Sequence, residues 1–564
     1  MAYIPGENRN QITFLPQSLD EYVGEDNPVR LIEAFVSTLN MERCGFKRYE
    51  PAATGTPGYD PRDMIKLLIY GYYIRLRSSR KIMKEAERNV EVMWLIRKLT
   101  PDFRTISDFR KDNVTALKAV FREWNLLCEK LGLFKLDFVA IDGSKFKAVN
   151  SKDRNFTLSK LDDRIIRIDN HIDEYLAMLD HADEDETDER KFTKEELAEK
   201  IKGLTERRDE YESYQQELEQ THQSQKSLTD PESRLMKFKN GFEVGFNTQT
   251  AVDADSHMIA GFSVTNHATD HGLIGEVAES VREMFDKKDE IFEVAADKGY
   301  LEPVDMADCL ERGIIPNVNS GKTEGAVALT MDYEPAEISE EQKSSRSPDD
   351  IKECLRAGVI PDIYEGVIEK IEVCEKRCLP IIDAVAPEEQ KPETEIIENA
   401  REGYFVRDIE RDIVYCPAGC ILRAKSGKKN GSIRYYNKLA CAGCKKKCTA
   451  SKWKEIDFLP GKTRIRSKMA KESEADKEQS LHRRKTIKVK KVVITFRPDT
   501  KKLSKRMSLS EHPFGTVKRW HDGSYLLLKG IEKTTGELSL SFLIYNMKRA
   551  INLLGIKKIM AEMG

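Results

Sequence analysis

Apolar residues recur at helical spacing through the first part of the chain. The segment DPRDMIKLLIYGYYIRLRSSRKIMKEAERNVEVMWLIRKL offers Asp60 or Asp63 as a helix start, and its apolar positions lie three and four apart. The segment TISDFRKDNVTALKAVFREWNLLCEKLGLF begins with Thr105 or Ser107 as a helix cap and keeps the same spacing. We therefore predict a helical domain over residues 1–133. Its basic SSRK corner could dock DNA, or the domain could serve packing alone.

Residues 155–225 carry a second helical pattern, with the heptad spacing of a coiled coil. Two runs of apolar residues step by three and four: Leu158, Leu161, Ile165, Ile168, Ile172, Tyr175 and Leu179, then Leu197, Ile201, Leu204, Tyr211 and Leu218. Arg208 interrupts the second run, and the acidic stretch HADEDETDER separates the two. We predict an antiparallel helical hairpin, which could be a structural arm or a self-association contact.

Outside that hairpin, residues 134–320 show the patterns of strands. FVAI is a short apolar strand, and GFEVGFNTQTAVD and HMIAGFSVTN alternate apolar and polar residues on either side of a turn. The amphipathic helix LIGEVAESVREMFDKK precedes two further strands, IFEVAA and GIIPNV. This order predicts an α/β fold with a mixed sheet. We expect residues 321–500 to form an insertion and residues 501–564 to close the core as helices.

The composition suits a protein that is rich in surface: 40% of its residues are hydrophobic and 34% are charged. With 564 residues, the chain is long enough for roughly two to four domains. No apolar run approaches the length of about 18 residues that a membrane helix needs, and the N-terminus lacks the features of a signal peptide. We therefore expect a cytoplasmic protein without membrane association. Eleven cysteines then favour free thiols or a metal site over disulfides.

The net charge of −3 argues, by itself, against a nucleic-acid-binding protein. The distribution argues for one, because residues 421–520 carry 30 Lys and Arg against 8 Asp and Glu. That local balance is +22, so the other 464 residues sum to −25. Such an excess of one sign repels itself unless a polyanion lies nearby, and DNA phosphate is the common one. A solvated basic face is the alternative.

Carboxylates stand at the ends of two predicted strands. Asp142 follows FVAI and Asp297 follows IFEVAA, so the two acids can meet if their strands are neighbours. Glu511 supplies a third acid at a predicted helix start, and Lys518 lies about two turns further on roughly the same face. Mg²⁺ and Mn²⁺ prefer carboxylate oxygen, and two such ions about 4 Å apart can promote phosphoryl displacement. Each acid alone could equally be a turn or cap residue.

The segments around these acids resemble a known family. Asp142 in AIDGSKF, Asp297 in AADKGY and Glu511 in SEHPFGTVK are similar to the DDE motif of bacterial insertion-sequence transposases, closest to family 1182 within the superfamily of families 4 and 5. PRDMIKLLIYGY, TISDFR, TDPESRLM, GFNTQTAVD and SFLIYNMKRA resemble further segments of that family, so the likeness extends through most of the chain. The resemblance implies an RNase-H-like catalytic core in which the three acids hold Mg²⁺ or Mn²⁺.

The resemblance also implies residues that contact DNA. Lys518 would lie near the reacting phosphate, and Arg519 and Arg506 are further DNA-binding predictions. The superfamily signature Tyr-x₂-Arg-x₃-Glu-x₆-Lys is kept from Glu511 to Lys518. Arg506 lies one residue too far upstream for it, and Leu503, near the tyrosine position, is not aromatic. Four other polar residues near the predicted sheet are expected to support the site or the fold: Asn247, Gln249, Asp253 and Asp270.

Five cysteines cluster in the insertion: Cys416, Cys420, Cys441, Cys444 and Cys448. Two knuckle-like groups about 20 residues apart match a structural Zn²⁺ site, which takes four soft ligands in a tetrahedron. The family has comparable cysteines, usually in a CPxG context, which favours Cys416 over Cys420. The preferred ligand set is then Cys416, Cys441, Cys444 and Cys448. The alternative is a set of reduced thiols in a domain that folds without metal.

The predicted function is that of a DNA transposase, which cuts double-stranded DNA at the terminal inverted repeats of its element and joins the ends to target DNA. The ends must be paired, so we expect a homodimer on DNA, in the cytoplasm at the nucleoid. Two alternatives stay open. One is a metal-dependent nuclease of the same fold without strand transfer, and the other is a domesticated DNA-binding protein whose acids no longer act.

Overall fold

A computed structural model of the protein describes residues 18–50, 58–150, 152–184, 194–221, 225–287, 289–320, 325–378, 398, 400–408, 412–424, 433–442, 444, 448, 453–458, 463–467, 487–520 and 523–563. The chain divides into two compact units. The first comprises Met1–Arg154, Ser227–Cys374 and Lys490–Gly564, and the second comprises Asn155–Lys226 and Glu375–Val489.

The helices of the described residues are, in chain order, α1 Pro28–Thr38, α2 Pro61–Tyr73, α3 Ser79–Arg88, α4 Val90–Leu95, α5 Phe103–Asp112, α6 Val114–Lys130, α7 Leu158–Glu184, α8 Lys194–Gln220, α9 Ile274–Phe285, α10 Pro303–Glu311, α11 Glu340–Ser344, α12 Pro348–Ala357, α13 Lys438–Ala442, α14 Thr500–Gly515, α15 Ile531–Leu554 and α16 Ile556–Ala561.

The strands of the described residues are β1 Phe138–Lys147, β2 Asn155–Thr157, β3 Gln225–Ser227, β4 Arg234–Phe238, β5 Gly241–Asp253, β6 Ile259–Thr265, β7 Phe292–Ala296, β8 Ile314–Val318, β9 Val327–Asp332, β10 Ile368–Cys378, β11 Tyr404–Asp408, β12 Ile413–Tyr415, β13 Ile421–Ala424, β14 Ile433–Tyr436, β15 Glu455–Phe458, β16 Arg464–Arg466 and β17 Ile487–Phe496.

Side-chain caps begin four of the N-terminal helices. Asn27, Asp60, Asn89 and Asp102 each accept a hydrogen bond from the backbone N–H two residues later. Proline follows the first two caps, at the position where its missing N–H costs nothing. The predicted helix start at Asp60 is confirmed. The predicted cap at Thr105 or Ser107 is wrong, because Asp102 already begins α5.

Among the described residues, a six-stranded mixed sheet lies at the centre of the first unit. Its strands are ordered β4–β5–β1–β7–β8, and β6 also pairs with β5. β5 is antiparallel to β1, β4 and β6, whereas β1, β7 and β8 run parallel to one another. The prediction of an α/β fold with a mixed sheet is confirmed.

The register of two parallel strands sets two predicted site residues side by side. β1 pairs with β7 up to Ala140 opposite Ala295. Two residues further along each chain, Asp142 stands level with Asp297, which directly follows β7. Residues at one level of neighbouring strands point to the same side of a sheet. The two carboxylates therefore face the same side at the end of β7.

β1 is longer than the sequence pattern suggested. The strand continues through Asp142 to Lys147, because β5 pairs with it from Val139 to Lys147. Asp142 therefore lies inside its strand, and its predicted place at the strand end is wrong. Between Asp142 and Phe146, none of the described strands pairs with β1 on the β7 side. Asp142 therefore borders the space beyond the end of β7.

α14 packs along the face of β1 that carries Asp142. Its contacts join Lys502 to Phe138, Arg506 to Asp142 and Phe514 to Phe146. The strand residues alternate with ones that point to the opposite face, so these three share a side. On the same face of β6, which pairs with β5 and not with β1, Phe262 packs against Phe121 of α6 and Phe542 of α15. The core of the first unit thus holds α14 over Asp142.

A smaller sheet in the described residues has the order β10–β17–β9. Its central strand includes the segment KVKKVVITF, which the sequence pattern predicted to be a strand. No helix in the described part of the chain combines the length and the apolar character that a membrane crossing requires.

In the second unit, α7 and α8 pack antiparallel, in the hairpin expected over residues 155–225. Residues early in α7 contact residues late in α8: Asp162 with Gln215, Arg164 with Tyr211 and Asp169 with Arg208. Arg208, which interrupts the heptad pattern, thus forms an ion pair across the hairpin. The linking acidic stretch is described only as far as Glu184, and residues 185–193 lie outside the described residues.

The rest of the second unit contains an antiparallel sheet ordered β15–β14–β13–β12–β11–β16. Its buried core is built from alternate, inward-facing positions of these strands: Phe405, Val414, Leu422, Tyr435, Ile456 and Phe458. Cys416, Cys420 and Cys448 pack against this core. Three of the five clustered cysteines therefore lie in one small module.

Candidate active site

Asp142 and Asp297 are each held by one backbone hydrogen bond. Oδ1 of Asp142 accepts the N–H of Gly143 at 2.9 Å. Oδ1 of Asp297 accepts the N–H of Gly299 at 2.7 Å and thereby caps a short 3₁₀ turn, Lys298–Tyr300. Among the described residues, the second oxygen of each carboxylate accepts no hydrogen bond. Each aspartate therefore has an oxygen that a ligand could use.

The electrostatics around Asp142 favour a bound positive charge. Burial raises the pKa of Asp142 to about 6, and the negative charges of Asp297 and Asp270 act in the same direction. The guanidinium of Arg506, 3.7 Å from Oδ1, and the N–H of Gly143 oppose that rise. A carboxylate whose pKa is raised by burial and by neighbouring negative charge is stabilised in its ionised form by a bound cation.

Lys518 is held against the strand that carries Asp142. Its Nζ donates to Oγ of Ser144 at 2.5 Å and to the carbonyl oxygen of Lys145 at 2.6 Å, and lies 4.5 Å from the ring centroid of Phe146. Burial lowers the pKa of Lys518 to about 8, against the effect of the Asp142 charge. The structure thus brings Lys518 and Arg506 to the edge of the sheet where the aspartates lie.

Glu511 does not join the two aspartates in a metal-holding group within the described residues. It lies near the end of α14, and not at a helix start as predicted, and its side chain is exposed. Among the described residues, it forms no hydrogen bond or ion pair. A π-helical turn, Thr516–Trp520, follows α14 and directs Lys518 to the sheet. The predicted common face of Glu511 and Lys518 is therefore wrong, and Arg519 is exposed on the same turn.

Asp270 lies beside the two aspartates. Its Oδ1 accepts the side-chain amides of Asn247 at 2.7 Å and Gln249 at 2.8 Å. A Cβ added to Gly143 would lie 2.8 Å from Oδ1 of Asp270, and one added to Gly299 would lie 3.9 Å from its Oδ2. Gly143 and Gly299 are the residues whose N–H groups bind the aspartate pair. Asp270 is therefore within a few ångströms of the backbone that positions the pair.

Tyr300 joins this group from the turn that follows Asp297. Its buried hydroxyl donates a hydrogen bond to Oε1 of Gln249. Burial raises the pKa of Tyr300, and the charges of Asp270, Asp142 and Asp297 raise it further. The phenol therefore keeps its proton and acts as a donor. It links the Asp297 turn to β5.

The sequence held a signal for this network in the segment NTQT of β5. Successive residues of a strand point to opposite faces, so Asn247 and Gln249 share one face, and Thr248 and Thr250 share the other. All four side chains are buried. Buried amides need partners, so the strand implies an acceptor nearby. That acceptor, Asp270, lies 21 residues beyond Gln249, and no local spacing identifies it.

The aspartate pair has the ligand chemistry of a divalent-cation site. Mg²⁺ in proteins is commonly bound by one or two carboxylates together with substrate phosphate and water. Asp142 and Asp297 offer two hard oxygen ligands of this kind on one side of the sheet. Within the described residues, no group of three or more His, Cys, Asp or Glu side chains is arranged so that it could hold a metal ion. Substrate phosphate would then have to complete the coordination.

The five clustered cysteines are free thiols, of which Cys416 is buried and the others are half-buried. The N–H of Cys416 donates to the carbonyl oxygen of Cys420 at 2.9 Å, and Gly419 closes the turn between them at a φ of 80°. Burial raises the pKa of Cys416 to about 11, and the nearby thiols of Cys420 and Cys448 act in the same direction. The described thiols do not form a ready metal centre, so the zinc site stays a prediction.

Comparison with known proteins bears on the N-terminal helices. Residues 17–112 match a family model described as Transposase domain (DUF772). No curated protein and no solved structure matches the chain. The matched range contains α1–α5 and ends before Asp142. The match supports a transposase function, and therefore an enzyme that acts on DNA.

Proposed function

We propose that this protein is a DDE transposase of the insertion-sequence type, which cuts double-stranded DNA at the ends of its element and joins them to target DNA. The observation that carries the proposal is the register of the parallel strands β1 and β7, which sets Asp142 beside Asp297. Arg506 and Lys518 contact β1 next to this pair. Three antiparallel strands, β6–β5–β1, followed by two parallel ones, β7–β8, support an RNase-H-like core. The transposase-domain match of residues 17–112 supports the same interpretation.

The side chains of the site have distinct roles in this proposal. Asp142 and Asp297 would hold Mg²⁺ or Mn²⁺, which supplies positive charge to the attacking and leaving oxygens of an in-line displacement. Lys518 and Arg506 place cationic groups at the same edge, where they can bind the non-bridging oxygens of a DNA phosphate. Arg519, exposed on the π-helical turn, can contact the DNA backbone nearby.

The proposed reaction consists of two phosphoryl transfers at one site. In the first, water attacks a phosphorus atom at the element end, the bond to the 3′ oxygen breaks, and a 3′-hydroxyl and a 5′-phosphate result. In the second, that 3′-hydroxyl attacks a target phosphodiester and releases a target 3′-hydroxyl. Each step forms one P–O bond and breaks another, while the nucleophile loses a proton and the leaving oxygen gains one. Neither step needs an external energy source.

Replacement of either aspartate tests the proposal. We expect Asp142→Asn and Asp297→Asn to reduce the rate of cleavage of end-bearing DNA by about a thousandfold or more. Asparagine keeps the shape of the aspartate side chain but removes the negative charge that would hold the cation. DNA binding, measured by gel shift, should change little. Asp255→Asn is the control, since Asp255 is an exposed turn residue paired with Lys135. Full-rate cleavage by Asp142→Asn would refute the proposal.

The alternatives give different outcomes in the same assay. Supplying target DNA separates a transposase, which yields joined products, from a nuclease, which yields only cut ends. A wild-type protein that binds DNA but never cuts it would favour the domesticated DNA-binding protein. Glu511→Gln tests the role that the family resemblance gives to Glu511. The resemblance predicts that this variant loses as much of the cleavage rate as the aspartate variants do.

The partners of the protein follow from the same proposal. Double-stranded DNA at the element ends and at the target would be bound through the N-terminal helices and the basic segment 421–520. Two ends must be held together for transposition, so a homodimer on DNA at the nucleoid is part of the proposal. The α7–α8 hairpin, which presents a charged surface, is the candidate for self-association.

Zinc in the second unit is a separate proposal. Thiols are the ligands that structural zinc prefers, and four of them are needed. Cys416, Cys441, Cys444 and Cys448 would be the ligands, with Cys420 as the spare. We expect purified protein to contain one zinc per chain, measured by atomic absorption, and Cys416→Ser to lose it. Metal-free protein with an unchanged melting temperature would contradict this proposal, and Cys44→Ser, a buried thiol of the first unit, is the control.

A further inference from the structure

We infer that Asp270 is a further functional carboxylate of this site, held by Asn247 and Gln249 so that its charge serves the cation bound at Asp142 and Asp297. The inference rests on the proposed function, because it assumes that a cation binds there. It assigns Asp270 an active role, where the sequence led us to expect only a supporting one.

The hydrogen bonds of Asp270 are distributed unequally over its two oxygens. Oδ1 accepts both amides, from Asn247 at 2.7 Å and from Gln249 at 2.8 Å. Among the described residues, Oδ2 accepts no hydrogen bond. Two neutral donors on one oxygen fix the orientation of the carboxylate and leave the other oxygen available.

The position of Asp270 depends on two glycines. The Cβ of any other residue at 143 would lie 2.6 Å from the side-chain amide of Gln249 and 2.8 Å from Oδ1 of Asp270. At Gly299 an added Cβ would lie 3.9 Å from Oδ2 of Asp270 and 3.0 Å from Oδ1 of Asp297. The available oxygen of Asp270 is thus directed at the turn that Asp297 caps. Because Gly143 has no side chain, the amide of Gln249 that holds Asp270 has room beside the strand.

Two buried polar atoms of β5, one on each face of the strand, lack partners among the described residues. Oδ1 of Asn247, a residue that is 1% exposed, accepts no hydrogen bond within the described residues. Oγ1 of Thr250, a residue that is 0% exposed, also lacks a partner there, and Thr250 pairs directly with Asp142 across β1 and β5. Buried polar atoms nearly always find a partner in folded proteins. The Asn247 atom, on the residue that holds Asp270, therefore points to a polar ligand on that face, and the Thr250 atom to one on the face of Asp142.

Asp270→Asn separates the charge of this residue from its shape. The side-chain oxygen of asparagine can accept the same two amide hydrogen bonds, so the network is kept while the negative charge is lost. We expect the affinity of full-length protein for Mn²⁺, measured by calorimetry, to fall by about tenfold or more. The cleavage rate of end-bearing DNA should fall by at least the same factor.

Asp305→Asn is the matched control for this variant. Asp305 is also a partly buried carboxylate in the first unit, and it accepts two backbone N–H groups, from Ile274 at 3.0 Å and Gly275 at 3.3 Å. It lies on α10 and has no contact with the aspartate pair among the described residues. Its replacement should leave both the Mn²⁺ affinity and the cleavage rate within roughly twofold of the wild-type values.

Two further variants test the anchoring of Asp270. Gln249→Met removes one amide donor and keeps the length of the side chain, whereas Gly143→Ala pushes the same amide away. Each should lower the Mn²⁺ affinity by about tenfold, and circular dichroism checks that the fold is retained. Gly24→Ala is the control for the second, because a Cβ added to Gly24 meets nothing within 4 Å.

The outcomes distinguish this inference from the proposed function. An Asp270→Asn protein with wild-type Mn²⁺ affinity overturns the inference, whatever its cleavage rate, and leaves the proposed function intact. A wild-type protein that neither binds Mn²⁺ nor cuts end-bearing DNA overturns both. If Asp270→Asn melts well below its control, the Mn²⁺ affinities of Gln249→Met and Gly143→Ala decide instead, and unchanged affinity in both refutes the inference.

Discussion

Two residues of the site have pKa values that are displaced toward neutral pH. Burial raises the pKa of Asp142 to about 6, so its ionised form is lost as the pH falls through that value. Burial lowers the pKa of Lys518 to about 8, so its protonated form is lost as the pH rises through that value. In the proposed function, a cation requires the carboxylate of Asp142 and a DNA phosphate requires the ammonium of Lys518. Both required forms coexist between about pH 6 and 8.

We therefore expect a bell-shaped dependence of the cleavage rate on pH, measured at low and constant Mg²⁺. More Mg²⁺ should move the acid limb to lower pH, because the cation competes with the proton for Asp142. Lys518→Arg should move the alkaline limb to higher pH, because a guanidinium stays protonated. Lys533→Arg, on the exposed start of α15, should change neither limb. A flat profile across this range would contradict the assigned roles.

At the scale of elements, a buried ion pair joins the N-terminal helices to α15 within the first unit. Arg77, which precedes the SSRK corner, is 5% exposed and pairs with the fully buried Glu537. Glu537 also accepts the N–H groups of Leu527 and Leu528, each at 2.9 Å, and Arg77 donates to the carbonyl oxygen of Tyr525 at 2.7 Å. Arg77 is therefore a structural residue and is not exposed for DNA contact.

Breaking this pair should be costly, because the partner that remains is a buried charge. We expect Arg77→Met to lower the free energy of unfolding by about 3–5 kcal/mol, measured by urea denaturation. Lys557→Ala is the control, since Lys557 is exposed and its ion pairs with Glu25 and Asp26 have N–O distances of 3.5 and 3.6 Å. A similar decrease in the free energy of unfolding in both variants would show that the buried ion pair stabilises the fold no more than the exposed one does.

At the scale of the whole molecule, charge is segregated along the chain. The net charge is −3, yet residues 421–520 alone sum to +22. DNA binding through such a segment releases counterions from the phosphates, so affinity depends steeply on salt. The near-neutral total therefore hides a strongly basic segment.

This segregation predicts the salt dependence of DNA binding. The logarithm of the affinity should fall linearly with the logarithm of the salt concentration, and each lysine contact that is removed should reduce the slope by about 0.9. Lys505→Ala, an exposed residue of α14, should show that reduction in a fluorescence-anisotropy titration. Lys370→Ala, exposed but outside the segment, should not. A DNA affinity that does not change with salt concentration would contradict the proposed DNA contact.

Local patterns predicted much of this architecture. The alternation in β5 and β6, the heptads of α7 and α8 and the cap at Asp60 are properties of neighbouring residues, so periodicity reveals them. The pairing of Asp142 with Asp297 was predicted only on the condition that their strands adjoin. Adjacency is a property of sheet order, and 155 positions separate the two residues in the chain. The register of β1 and β7 met that condition.

The order of residues was enough to identify most helices, several strands of the central sheet, the basic segment and the kinds of acid that could bind a cation. Only the packed molecule decided which acids share a site. It placed Asp270 against Gly143, because two amides of β5 hold it there, and it left Glu511 exposed, because Phe514 packs on Phe146 and orients α14. The physical reason is that helix rotation and strand register depend on contacts between distant residues, which no local spacing encodes.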